Sequence, residues 1–231
     1  HMQDYLLFVD TETSGVPDSL NAPISDLKNW PFVLQLAWIV YDRDGNEIKQ
    51  ENHFIYEEDI YIKDSSIKIH GITKDSLKTK GKDRKIVMKL FANDLRRFKP
   101  VIVGHFIEFD SKMLQVAFFR SGLKNILSKH RHFCTMRATT EYTRFQNHQY
   151  PKLNELYETL FSEKLENNHD ALVDAQATAR CFLELWRKAE ITADSIQKQR
   201  LFVKVSEKEK KIGCGLPVLL FILIGLISIW L

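Results

Sequence analysis

The feature that most constrains the fold of this sequence is a short apolar run, residues 5–9, that ends directly at two acidic residues. Aromatic and branched residues in a run of this length are typical of a buried strand. Asp10 and Glu12 are two positions apart, so on a strand both carboxylates point to the same face while Thr11 points away. The sequence therefore predicts a buried strand with an acidic pair at its carboxyl end, where α/β folds commonly place ligands.

The rest of the chain also predicts an α/β domain. Residues 32–41 and 47–56 predict two strands that flank the turn residues 42–46, so the domain opens with three antiparallel strands. A further buried strand is predicted at residues 101–103. Apolar spacing and the positions of Pro and Gly predict helices at residues 85–98, 110–120, 135–145, 153–161 and 171–189.

Two more acidic residues lie at positions that suit a shared cation. Asp110 follows the strand at 101–103 and falls in the first turn of the next helix, where it either caps the helix or faces a ligand. Asp174 lies among small residues of the helix at 171–189, where an unpaired buried carboxylate is unfavourable. Taken alone, the Asp10 and Glu12 pair is equally consistent with a solvated strand end.

Together these carboxylates predict a metal-dependent site for phosphodiester chemistry. Like charges that converge are stabilised by a cation, and oxygen ligands suit Mg²⁺, with Mn²⁺ as a substitute. Two such ions about 3.5–4 Å apart can activate a water and stabilise the leaving oxygen of a phosphodiester.

A histidine near the predicted site suits the role of general base. His169 precedes Asp174 by five positions, so a continuous helix would place the two on different faces. We therefore expect His169 on the loop that enters the helix, from which a group with a pKa near 6.5 can accept a proton near neutral pH. The alternative is an exposed loop histidine without a role.

Three segments give the sequence a specific resemblance. Residues 8–13 (FVDTET), 104–110 (GHFIEFD) and 169–174 (HDALVD) resemble the three motifs of the DEDDh exonucleases, the group that contains the DNA polymerase III proofreading subunit. Residues 69–73 (IHGIT) resemble the same group. The match covers residues 5–190 in the same order, and its motifs together are far more specific than any one of them.

The resemblance implies a ribonuclease H-like fold with a mixed five-stranded sheet and 3′ to 5′ removal of nucleotides from DNA or RNA. It implies that Asp10, Glu12, Asp110 and Asp174 bind two Mg²⁺ ions and that His169 is the general base. The partner is then a nucleic acid with a free 3′ end. By the same resemblance, the residues that border the terminal nucleotide are Thr13, Val16, His70 and Phe109. The sequence departs from the family at Phe106, where relatives more often carry a polar residue such as Asn.

Two other functions remain open at this stage. One is a binding module for nucleic acid on the same fold, without catalysis; the intact carboxylates and His169 argue against it, because a binder has no reason to keep like charges together. The other is a membrane-bound phosphoesterase acting on small molecules or lipid headgroups. Cleavage that requires a free 3′ end would separate the proposed exonuclease from both.

The carboxyl-terminal segment predicts a membrane anchor. Residues 212–231 carry no charge and, as a helix, would span roughly 30 Å, the thickness of the hydrocarbon core. Lysines in residues 204–211 predict that the domain faces the cytoplasm. The alternative is a buried core helix, although such helices usually keep a polar stripe. We therefore expect an exonuclease domain at 3–190, a charged linker at 191–211 and the anchor at 212–231, an arrangement that resembles the TREX group of exonucleases.

Cysteine content and net charge add little to this prediction. The three cysteines, Cys134, Cys181 and Cys214, are odd in number and far apart, which argues against disulfides and a structural zinc site and fits a reducing compartment. A formal charge of +3 is too small to indicate nucleic-acid binding by itself.

Overall fold

The computed structural model of the protein describes residues 4–58, 60–143 and 150–201. The strands are β1 Tyr5–Thr13, β2 Val33–Asp42, β3 Glu47–Tyr56, β4 Lys82–Asp83, β5 Val101–Gly104 and β6 His132–Cys134. The α-helices are α1 Asp64–His70, α2 Lys74–Lys80, α3 Arg84–Phe98, α4 Ile107–Arg120, α5 Thr135–Ala138, α6 Leu153–Phe161, α7 Ala171–Arg187 and α8 Ala193–Lys198. Short 3₁₀ helices lie at Leu127–Lys129 and Thr140–Thr143.

The described strands form one mixed six-stranded sheet in the order β4-β3-β2-β1-β5-β6. The three antiparallel strands predicted at the start of the domain are confirmed as β1, β2 and β3. The strands β5 and β6 then run parallel to β1. The predicted five-stranded sheet is wrong by one strand, because β4 adds to the edge of β3. With only two residues, β4 is too short to carry a periodic pattern in the sequence.

The central strand β1 sends its side chains alternately into two apolar clusters. Leu7 and Val9 pack in the cluster that contains residues of α3 and α4. Leu6 and Phe8 pack on the opposite face, where Phe8 meets Phe182 of α7 edge to face. This alternation extends to the end of the strand, so Asp10 and Glu12 face α7 while Thr11 faces α4.

Two predicted helices differ from the structure by three or more residues at one end. The helix predicted at 110–120 begins earlier, at Ile107, after Phe106 turns the backbone with a left-handed φ of 72°. The helix predicted at 135–145 is wrong: α5 ends at Ala138, and a 3₁₀ turn follows. The Thr139 hydroxyl donates to the carbonyl of Thr135 at 2.8 Å, a local bond by which Thr competes with regular helix.

Part of the predicted charged linker packs on the domain instead of lying in solvent. Ile191 and Ile196 are buried in the same cluster as Phe182. The Gln199 side chain accepts from the N–H of Cys134 and donates to its carbonyl, so this amide completes the hydrogen bonds of the edge strand β6. The described structure therefore continues past residue 190.

The predicted anchor at 212–231 lies outside the described residues. Within residues 4–58, 60–143 and 150–201, no helix has both the length and the apolar character needed to cross a bilayer.

Candidate active site

The first part of the site forms where β5 stops pairing with β1. Their ladder ends at Phe8 and Val103, so the edge of β1 beyond this point has no strand partner from β5. The backbone N–H and the hydroxyl of Thr11 both donate to Asp110 Oδ1, at 3.0 and 2.7 Å. These two bonds fix the first turn of α4, and with it the Asp110 carboxylate, beside the acidic end of β1.

The start of α7 is fixed to the sheet by Gln35, a buried residue of β2 that lies opposite Glu12 in register. Its Oε1 accepts from the N–H of Ala171 at 3.2 Å, and its Nε2 donates to Asp170 Oδ2 at 3.2 Å. Asp170 in turn caps α7, since its Oδ1 accepts from the N–H groups of residues 172 and 173. The sequence analysis missed both residues; the signal available for Gln35 was a lone amide within an apolar strand.

His169 lies in the loop before α7, as predicted, and its backbone is bound to Asp174. The φ of His169 is 71°, a left-handed conformation that a non-glycine residue rarely adopts. This conformation lets the His169 N–H donate to Asp174 Oδ2 at 3.0 Å. Asp174 is only 9% exposed, and its other oxygen, Oδ1, has no hydrogen-bond partner among the described residues. A buried carboxylate oxygen without a partner is unfavourable unless a cation completes it.

The described side chains converge as a cation site requires. One ligand atom from each of Glu12, His169 and Asp174 lies within 4.8 Å of the other two. The donors around this point are mainly carboxylate oxygens, which suit a hard divalent cation. The orphaned Asp174 oxygen and this donor set together fit a divalent metal.

Electrostatics place the remaining carboxylates in the same cluster. Burial, followed by the charge of Asp110, raises the pKa of Asp10 well above its ordinary value. Burial and the charge of Asp174 raise the pKa of Glu12 to about 8. Burial also raises the pKa of Asp110 to about 7 against the opposing bonds from Thr11, and raises the pKa of Asp174 to about 6. Burial and the mutual repulsion of the carboxylates thus oppose their ionisation, and a bound cation would counteract both effects.

The histidine has the opposite shift. Burial lowers the pKa of His169 below its ordinary value of 6.5. The imidazole is therefore largely neutral at pH 7, the form that can accept a proton.

The four positions that the resemblance assigned to the terminal nucleotide fall at two places around the cluster. Thr13 ends β1; its hydroxyl donates to the Gly15 carbonyl, and its own carbonyl accepts from His70 Nε2 at 3.1 Å. Val16 follows at 45% exposure, unusually open for an apolar residue. Phe109 precedes Asp110 on α4, and its ring stacks on that of Phe106 with the centroids 6.3 Å apart.

Comparisons with known structures agree with the fold. Structures of Escherichia coli exonuclease I with a dT13 oligonucleotide and in a zinc-bound complex with single-stranded DNA each superpose with a TM-score of 0.64. Their identities to this chain are 21% and 20%, and the alignments cover 80% and 81% of it. The chain spans about two-fifths of the length of these proteins, since 41% of each is covered. No curated protein matches the sequence significantly.

The family model described as "RNase_T: Exonuclease" matches residues 7–182, a range that contains all three acidic motifs and His169. The chain belongs to this exonuclease family, whose DEDDh motifs its sequence carries.

Proposed function

We propose that this protein is a 3′ to 5′ exonuclease that hydrolyses DNA, with RNA as a second substrate, and releases nucleoside 5′-monophosphates. The observation that carries the proposal is the convergence of Glu12, His169 and Asp174, with an unpartnered oxygen on Asp174 and with Asp10 and Asp110 in electrostatic contact with the same group. Membership of the exonuclease family supports the class of reaction.

In this proposal the cations are two Mg²⁺ ions, with Mn²⁺ as a substitute. Asp10, Glu12, Asp110 and Asp174 would hold them. When bound, the ions supply Lewis-acid activation of the attacking water and stabilise charge on the departing 3′ oxygen.

The residues of the chain provide the remaining steps. The His169 imidazole accepts the proton of the attacking water, since its lowered pKa leaves it neutral at pH 7. The hydrogen bond from the His169 N–H to Asp174 holds this loop residue close to the carboxylates. Thr13, Val16, His70 and Phe109 border the terminal nucleotide and hold its phosphodiester against the cluster.

A time course on labelled oligonucleotides tests the proposal. Single-stranded DNA and RNA labelled at the 3′ end are incubated with Mg²⁺ or with EDTA, beside DNA whose 3′ hydroxyl is blocked. We expect immediate release of a labelled 5′-monophosphate that depends on Mg²⁺ and on a free 3′ end. Binding without hydrolysis would instead indicate a nucleic-acid-binding module, and hydrolysis only of small phosphodiesters would indicate a phosphoesterase.

A further inference from the structure

An exposed aromatic residue and an exposed lysine lie between β3 and α1, in a segment that is hydrogen-bonded to the chain just past the acidic strand β1. In this segment Ile60 and Ile62 are buried in one apolar cluster with Leu77 of α2. Tyr61, by contrast, is 74% exposed, and Lys63 is also exposed. This alternation is that of an extended segment with one side anchored in the core. The core therefore holds Tyr61 and Lys63 in place while it presents both to solvent.

Lys63 is joined to the chain that continues from the acidic strand. Its N–H donates to the Ser14 carbonyl at 2.9 Å. Its side chain crosses Gly15, where an added Cβ would lie 3.1 Å from Lys63 Cδ and 3.2 Å from Cε. Gly15 is three residues past Glu12, and three residues of extended chain span at most about 11 Å. The lysine stem thus lies at the outer edge of the candidate active site.

The same segment leads into α1, whose last residue is hydrogen-bonded to the end of the acidic strand. His70 at the end of α1 accepts from the Ile72 N–H through Nδ1, so its Nε2 carries the proton donated to Thr13. The bond to Thr13, which follows Glu12 in β1, places the end of α1 beside the acidic end of that strand.

Neither exposed group has a side-chain partner in the described part of the chain. The structure shows no ion pair for the Lys63 amino group and no ring contact for Tyr61 among residues 4–58, 60–143 and 150–201. An amino group beside a carboxylate cluster offers the positive charge that a phosphate backbone needs there. An exposed aromatic ring offers a stacking surface for an unpaired base.

Building on the proposed exonuclease function, we propose that Tyr61 and Lys63 bind the single strand just upstream of its terminal nucleotide. Lys63 contacts a backbone phosphate, and Tyr61 stacks on a base. The two residues thereby favour single-stranded ends over paired ends, because a base within a duplex cannot stack on Tyr61 without leaving its own neighbours.

Binding of a fluorescein-labelled oligothymidylate, followed by anisotropy at several salt concentrations, tests this inference. All variants carry Asp174→Asn, which prevents digestion during the titration. We expect Tyr61→Ala to weaken the Kd by roughly tenfold, and Tyr61→Phe to retain it. We expect Lys63→Ala to weaken the Kd several-fold and to reduce the slope of log K against log salt by about 0.7, with Lys63→Arg restoring both. Lys89→Ala, an exposed lysine of α3, is the matched control.

A second readout uses the active protein and the p-nitrophenyl ester of thymidine 5′-monophosphate, which has no upstream base to stack on Tyr61. The Tyr61→Ala variant should hydrolyse this ester at the wild-type rate. An unchanged Kd and salt slope in both Tyr61→Ala and Lys63→Ala would overturn the inference even if the wild type is an active exonuclease. A wild type that hydrolyses nothing would overturn the proposed function, while the titration would still decide whether these residues bind a strand.

Discussion

Asp174 is the residue whose substitution best separates metal binding from folding. Asparagine keeps the shape of the side chain and can still accept the His169 N–H, but it removes the charge of the oxygen that has no partner. We expect Asp174→Asn to remain folded and to lose at least about a hundredfold in kcat, because even groups outside the ligand shell contribute 10–100-fold. Rates of Mg²⁺-dependent digestion and a far-UV spectrum measure both effects.

The control for this substitution is Asp75→Asn, which changes an exposed carboxylate of α2 and should leave the rate unchanged. A wild-type rate in Asp174→Asn would contradict the assignment of Asp174.

His169 gives a prediction for the pH dependence of the rate. The imidazole is a base only when neutral, so activity is retained above its pKa and falls as the pH drops through it. Because burial lowers this pKa, the acidic limb of log kcat should have its midpoint below the ordinary 6.5. We expect His169→Ala to reduce kcat by about 10²–10⁴-fold and to lose this limb.

The matched variant is His130→Gln, at a half-buried histidine bonded to the Pro100 carbonyl and outside the cluster. It should keep the wild-type profile. An unaltered acidic limb in His169→Ala would show that another group is the base.

Local sequence patterns correctly predicted the position of residues that is determined by their neighbours in the sequence. The face shared by Asp10 and Glu12 follows from strand alternation, and the loop position of His169 follows from its spacing to Asp174. Gln35 and Asp170 were missed because they act on each other from β2 and α7, which are far apart in the sequence. Contacts of this kind depend on tertiary packing, which one sequence does not reveal.

At the scale of elements, the long loop between β1 and β2 is held by the last residue of α4. The Arg120 guanidinium donates to the carbonyls of Leu27, Trp30 and Pro31, and it lies 4.0 Å from the ring centroid of Phe32. No periodic pattern in the sequence predicts this contact, since it joins a helix end to an irregular loop that begins beside the acidic strand.

Substitution of Arg120 tests how much this contact contributes to the free energy of unfolding. Arg120→Leu leaves those carbonyls without their donor, and we expect the free energy of unfolding to fall by about 2–3 kcal/mol. For a domain of this size that corresponds to a fall in Tm of roughly 4–12 °C by calorimetry. Arg96→Leu, at an exposed arginine of α3, should change Tm little. Equal melting of the two variants would show that the Arg120 contact does not stabilise the loop.

The elements themselves were predicted as far as they carry a local pattern. β1, β2 and β3 have apolar runs or turn residues, and α6 matched its predicted bounds because its apolar spacing and its ends are clear. The two-residue strand β4 and the packed start of the expected linker, including α8, depend on contacts with β3 and β6. Short elements of this kind are determined by their neighbours and not by their own periodicity.

For the whole molecule, the carboxylate cluster couples stability to pH and to metal. Glu12, Asp110 and Asp174 have pKa values near 8, 7 and 6 in the folded protein, above their unfolded values. The folded state therefore binds more protons than the unfolded state. In EDTA, the stabilisation that these carboxyl groups contribute below about pH 4 is lost as the pH rises from 4 to 8. Mg²⁺ at a hundredfold excess over its Kd should raise Tm at pH 8 by about 5–10 °C.

Thermal melting at several pH values, with EDTA or with Mg²⁺, measures this coupling. Asp75→Asn should follow the wild type, whereas Asp174→Asn should lose much of the Mg²⁺ effect. A Tm that rises with pH in EDTA would contradict the raised pKa values of the cluster.

The membrane anchor at 212–231, with a cytoplasmic domain before it, stays a prediction from the sequence. Its residues lie outside those that the structure describes. Nothing in the site depends on it, because every residue of the cluster lies within the matched exonuclease region.

The central claim is that Asp10, Glu12, Asp110 and Asp174 share bound divalent cations. Anomalous diffraction from crystals of the wild type soaked with Mn²⁺ and a nucleoside 5′-monophosphate measures this directly. We predict two Mn²⁺ peaks about 3.5–4 Å apart, coordinated by these four carboxylates, with His169 beside them. Crystals with Mn²⁺ bound elsewhere and these carboxylates free of metal would contradict the account.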